Sequence, residues 1–165
     1  MFARLPPSFT VMLLTGATSV AALATAWTSQ YGFDLHPCEL CLYQRLPYIG
    51  AVSLSALTLM PVVDPKSRQL ACFICALLFL ATASTAFFHI GVEQEWWQST
   101  CAPTGGQSFS IDDIRSALLQ PGQPACNEIQ FKLFGLSMAG YNMLAGLVFA
   151  AGSLWAARNE TFWHE

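Results

Sequence analysis

Four long stretches of this chain carry no formally charged side chain: between Arg4 and Asp34, from Leu46 to Val63, from Gln69 to Val92 and from Leu133 to Ala157. A helix needs about 20 apolar residues to cross roughly 30 Å of hydrocarbon, where no water can satisfy its backbone. Each stretch is long enough to do so. Burying four such helices in a soluble core would require amphipathic faces that these stretches lack. Only 10% of the residues are charged and 54% are hydrophobic, against about 25% charged in a soluble domain. The expectation is therefore one all-α domain of 165 residues, a four-helix transmembrane bundle. Its spans should lie at about 9–27, 46–63, 70–90 and 134–157, with outer loops at about 28–45 and 91–133. Seven basic residues against ten acidic ones form no stripe that would suit nucleic acid.

The first stretch also reads as a cleavable signal peptide, since Arg4 precedes an apolar run and Ala24-Thr25-Ala26 resembles a cleavage site. The run from Phe9 to Trp27 is longer than such peptides usually carry, and the remaining topology is the same either way. Basic residues near span ends set orientation. Arg4, Lys66, Arg68 and Arg158 fall on one side; Arg45 and Lys132 flank spans on the other, where Arg115 sits in mid-loop. Both termini are accordingly expected in the cytoplasm. Cys38, Cys41, Cys101 and Cys126 then face the oxidising side, where disulfides persist.

The turn Asp64-Pro65-Lys66-Ser67-Arg68 makes the second and third helices antiparallel neighbours. Pro37 suits a first helical turn, so Cys38-Glu39-Leu40-Cys41 is expected to open the second helix, bent at Pro47 or beginning after it. In the long second loop, Trp96 and Trp97 suit a membrane interface. Ser110-Ile111-Asp112-Asp113 reads as a capped helix start, with Ile114, Leu118 and Leu119 on one face. A short interfacial helix is expected there, lying on the membrane or against the bundle end.

A dithiol at a helix start closes and opens readily, because the helix N-terminus favours thiolate over thiol. Arg45, four residues past Cys41, shares that sulfur's face and would favour its thiolate further; it would equally suit a basic residue reaching for headgroups. Cys101 and Cys126 flank the flexible part of the second loop. A bond between them would be either a structural staple or one half of an exchange with the nearby dithiol. The wide spacing of that pair argues against a zinc site, and no metal is expected. Cys72 and Cys75 lie inside an apolar helix and read as small hydrophobes.

The run Cys38-Glu-Leu-Cys41-Leu-Tyr-Gln-Arg45 at the start of a second span, followed by Cys101 and Cys126 in the second outer loop, resembles the DsbB family of disulfide bond formation proteins. The resemblance covers almost the whole chain. It implies an inner-membrane oxidoreductase that takes electrons from a soluble, thioredoxin-fold, DsbA-like thiol oxidase and passes them to a quinone, ubiquinone or menaquinone. It further implies that Cys101 holds the mixed disulfide with that donor, that Cys126 attacks Cys38, and that the freed Cys41 faces the quinone. Arg45 and Met138, the latter within Gly135-Leu136-x-Met138, and His89 near the outer end of the third span would contact the quinone. The segment from His89 to Trp97 departs from the family pattern, which bears on the identity of the partner.

Two rivals differ in kind. The vitamin K epoxide reductase family also couples membrane cysteines to a quinone, but its loop pair precedes its close pair in the chain, the reverse of the order here. A structural membrane protein stapled by two independent disulfides would form no adduct with a soluble thiol protein.

Overall fold

The computed structural model describes residues 5–97 and 125–163. Cys101 and the helix expected from Ser110 lie outside them. Helix α1 runs Pro7–Gly32 with its proline in the first turn, where a missing N–H costs nothing. Helix α2 runs Glu39–Thr58 and α3 runs Pro65–Glu93. Asp64 caps α3 by accepting the Ser67 N–H at 3.0 Å. A small antiparallel hairpin, β1 Lys132–Leu133 and β2 Leu136–Ser137, pairs Lys132 with Ser137 and Leu133 with Leu136. Its two turn residues, Phe134 and Gly135, both have positive φ, the conformation of a tight two-residue turn. Helix α4 follows directly as Met138–Arg158, capped by Ser137, and a 3-10 turn spans Glu160–Phe162.

Helix α3 is the centre of the bundle, packed on α4 along one side and α2 along the other, while α1 leans on α2 and scarcely meets α4. Phe79 is fully buried, with its ring 5.8 Å from that of Tyr48 and 5.5 Å from that of Phe149. Gly146 lets α4 approach α3 closely: a Cβ there would lie 3.0 Å from the Phe79 carbonyl oxygen and 3.1 Å from the Ala83 Cβ. Large apolar side chains such as Leu14, Val20, Leu77, Val148 and Trp155 point outward, the arrangement that lipid favours and water does not.

Helices α1, α3 and α4 are long and apolar enough to cross a membrane. Helix α2 falls short on apolarity because its first two turns carry Glu39, Gln44 and Arg45. Its apolar part, Leu46–Thr58, spans roughly 20 Å at about 1.5 Å per residue. The helix ends at Thr58 and not near Val63: Pro61 has no N–H with which to continue it, and Arg68 binds the turn that follows. The buried guanidinium donates from Nε to the Thr58 carbonyl (3.0 Å), from Nη2 to the Met60 carbonyl (3.4 Å) and from Nη1 to Ser8 Oγ (2.8 Å). It thus satisfies carbonyls left open at the end of α2 and ties that end to α1. Pro37 also sits differently from the sequence expectation: the helix starts at Glu39, with Cys38 as its cap, and continues through Pro47.

Candidate functional site

Cys38 is nine-tenths buried at the N-cap of α2, in extended conformation, and its sulfur accepts the Cys41 backbone N–H at 3.4 Å. This is the position where serine or aspartate usually caps a helix, here taken by sulfur. One turn on, the Cys41 sulfur lies 2.9 Å away, and both cysteines are free. The imidazole Nε2 of His89 stands 3.7 Å from Cys38 Sγ. The Cys41 thiol, foremost, with His89 and the Cys41 N–H in support, outweighs burial and pushes Cys38 down from 9.0 to about 4. Cys41 goes the opposite way: holding the shared proton beside the Cys38 sulfur, and being desolvated, raises it. The sequence placed the cationic influence of Arg45 on Cys41. Here that influence is minor, because Arg45 Nη1 donates to Gln30 Oε1 on α1 at 2.7 Å.

His89 is buried near the C-terminal end of α3. Besides Cys38, its Nε2 faces the Cys126 carbonyl oxygen at 3.2 Å and Glu93 Oε1 at 3.9 Å. Ser137, the cap of α4, donates to the other Glu93 oxygen at 2.5 Å. On the inner side, Gln44 Nε2 donates to His89 Nδ1 at 3.0 Å. Gln44 continues to Asn142 of α4, whose Nδ2 donates to Gln44 Oε1 (2.7 Å) and Thr82 Oγ1 (3.2 Å). Tyr48 closes the network by donating to Asn142 Oδ1 at 2.8 Å. Gln44, Tyr48, Thr82, Glu93, Ser137 and Asn142 were not singled out from the sequence. For Tyr48, Thr82, Ser137 and Asn142 the signal was there, since an uncharged polar side chain inside an apolar span must find a partner within the bundle; Gln44 and Glu93 lie outside the charge-free stretches.

Because α1 scarcely meets α4, a cavity of about 460 Å³ opens between them. Cys41, Arg45, His89 and Met138 line it, along with Phe149 deeper in and Phe131 at the mouth. The hairpin sets Met138 there by starting α4 at the cavity wall. Cys126 is fully buried and disulfide-bonded, and packs in one apolar cluster with Cys38, Leu40 and Val92. The four described cysteines of the sequence's three pairs that remain free are Cys38, Cys41, Cys72 and Cys75. Of these, Cys72 donates to the Ser153 carbonyl at 3.3 Å inside the core, and it does not line the cavity. The structure thus brings together Cys38, Cys41, Arg45, His89, Met138 and Cys126.

The ligand atoms of Cys38, Cys41 and His89 all lie within 4.8 Å of one another, a spacing that a thiophilic cation could use. A pair that closes into a disulfide gives up both sulfurs as ligands. The cavity has the size and apolar lining of a site for a small organic molecule, with a few polar groups gathered at one end.

A family model described as "Disulfide bond formation protein DsbB" matches residues 8–156. Among curated proteins, the chain is 29% identical to a disulfide bond formation protein B of Actinobacillus pleuropneumoniae serotype 5b, with 90% of this chain and 85% of that protein covered. It is 30% identical to one from Haemophilus influenzae strain Rd, covering 78% and 73% respectively. A third, from Hahella chejuensis, is 28% identical over 89% of this chain and 90% of its own.

Proposed function

Since the chain belongs to the DsbB family of disulfide bond formation proteins, a family of helical membrane proteins, we propose that it is a thiol:quinone oxidoreductase of the bacterial inner membrane. It reoxidises a DsbA-like soluble thiol oxidase and hands the electrons to a membrane quinone. The observation that carries this reading is the placement of a free dithiol between a disulfide-bonded cysteine and a largely apolar cavity bordered by α1 and α4.

In this reading Cys101 receives the donor's thiolate, and Cys126 leaves as a thiolate that attacks Cys38 of a closed Cys38–Cys41 pair. One disulfide breaks for each that forms, so two electrons move inward without loss. The N-cap position and the imidazole make Cys38 a good leaving group whenever its bond to Cys126 is cleaved again. Attack of Cys126 on Cys38 breaks the Cys38–Cys41 bond, and Cys41 leaves with the bonding pair as the thiolate. A bound quinone supplies an acceptor for two electrons and two protons. Arg45 favours negative charge at the cavity's polar end, and Met138 and Phe149 wall that end against water. Helix α2 serves as the fourth span, its short apolar part holding the dithiol at the outer boundary.

The donor half is tested by exchanging Cys126 for alanine, so that the freed Cys101 thiolate can attack the disulfide of an oxidised thioredoxin-fold oxidase, one oxidase sulfur bonding to Cys101 and the other leaving as a thiolate. The relay requires a mixed disulfide through Cys101, abolished by a further Cys101→Ala. Absence of any adduct would favour a purely structural loop disulfide.

A further inference from the structure

The buried network behind the dithiol has a direction, and one hydroxyl fixes it. Thr82 Oγ1 carries a single hydrogen, which goes to the Gln44 backbone carbonyl at 2.9 Å, a group that only accepts. The Thr82 oxygen must therefore accept from Asn142, 3.2 Å away, so the amide nitrogen faces it and Oδ1 faces the Tyr48 hydroxyl. The second hydrogen of Nδ2 goes to Gln44 Oε1. Gln44 is then committed to present its own nitrogen to His89 Nδ1. A neutral imidazole whose Nδ1 accepts carries its hydrogen on Nε2.

We infer that Thr82, Asn142 and Gln44 are positioning residues that hold His89 in the Nε2–H tautomer, so that the ring donates into the gap between the Cys38 sulfur and the Cys126 carbonyl. In the opposite tautomer an imidazole lone pair would face that carbonyl oxygen at 3.2 Å and a sulfur that bears charge. Reversing it requires both amides to turn, which sets Asn142 Oδ1 against a Thr82 oxygen with no hydrogen left to give. Thr82 is fully buried, and Gln44, Tyr48 and His89 nearly so, while Asn142 is half-buried at the cavity wall. The groups facing Cys38 are Cys41 on α2, His89 and Glu93 on α3, and the Cys126 carbonyl; Arg45 and Glu128 line the adjoining cavity. Among them, the imidazole N–H and the Cys41 groups are the donors within reach of the sulfur. The same commitment of Nε2 removes it from any metal-ligand set unless the whole chain reverses.

The inference deepens the proposed function, since exchange between Cys38 and Cys126 is the step that such a donor serves. Its test is independent of quinone. In the reduced full-length protein, nitrogen NMR of His89 should show an unprotonated Nδ1 and a protonated Nε2. Thr82→Val, nearly isosteric, should mix the tautomers and raise the midpoint of the Cys38 alkylation–pH profile by at least about one unit, roughly tenfold less thiolate below both midpoints. Thr82→Ser, which restores the hydroxyl, should restore both readings. A protonated Nδ1 in the unaltered protein would overturn the inference without need of any variant. So would a Thr82→Val protein with unchanged tautomer and midpoint. Loss of quinone reduction with the tautomer as stated would overturn the relay and leave this inference standing.

Discussion

At Cys38 a helix N-terminus, a neighbouring thiol and an imidazole act on one sulfur, and burial opposes them. The outcome is a thiolate over nearly the whole working range. Because the folded thiol is depressed to about 4 from 9.0, the stability gained from its ionisation is complete above pH 9 and is lost as pH falls toward about 4. Alkylation should follow the same window: the Cys38 rate, read by peptide mass spectrometry, should be nearly flat from pH 6 to 9 and fall below pH 5. A rate climbing about tenfold per unit through that range, as an ordinary thiol shows, would contradict the assignment. In the proposed relay Arg45 belongs to the later step. Arg45→Ala should slow quinone-dependent turnover about tenfold, equivalent to about 1.4 kcal/mol, with normal membrane insertion; unchanged turnover would remove its role. The dithiol and Arg45 were legible from spacing alone. Which sulfur bears the charge was not, because it depends on His89, 51 positions away in the chain.

Among the helices, α4 approaches α3 closely at Gly146, where an added Cβ would meet the Phe79 carbonyl oxygen and Ala83. Small residues at such crossings let apolar helices gain contact that lipid cannot supply. Gly146→Val should force α3 and α4 apart, destabilising the bundle by roughly 1–3 kcal/mol, measurable as a lower thermal midpoint in detergent. No shift would mean that the crossing is looser than described. The charge-free runs made the long helices legible. Their ends were less so, for local reasons. Phe134-Gly135 forms a turn that delays α4 to Met138, and α2 ends at Thr58, ahead of Pro61 and the turn that Arg68 binds. Cys38 occupies a cap that sequence patterns reserve for oxygen-bearing side chains. At the C-terminal end of α3, Gly91 accommodates the Trp97 indole, which stacks on Phe88 and donates to its carbonyl.

For the molecule as a whole, the decisive feature is the gap between α1 and α4. Helix packing closes the bundle between α1 and α2, α2 and α3, and α3 and α4, while between α1 and α4 a cavity lies beside the dithiol, the route that the proposed function gives to a lipid-dissolved acceptor. No periodicity in the sequence announces this gap, since it arises from which helices fail to meet. The most direct measurement is a single turnover: the purified protein, with Cys38 and Cys41 reduced and the Cys126 disulfide kept, is mixed with excess quinone and followed by quinone absorbance. One quinone should be reduced per chain as the Cys38–Cys41 disulfide appears, and neither should occur after Cys41→Ser. Oxidation of the pair with no loss of quinone, or quinone loss that survives Cys41→Ser, would contradict the route.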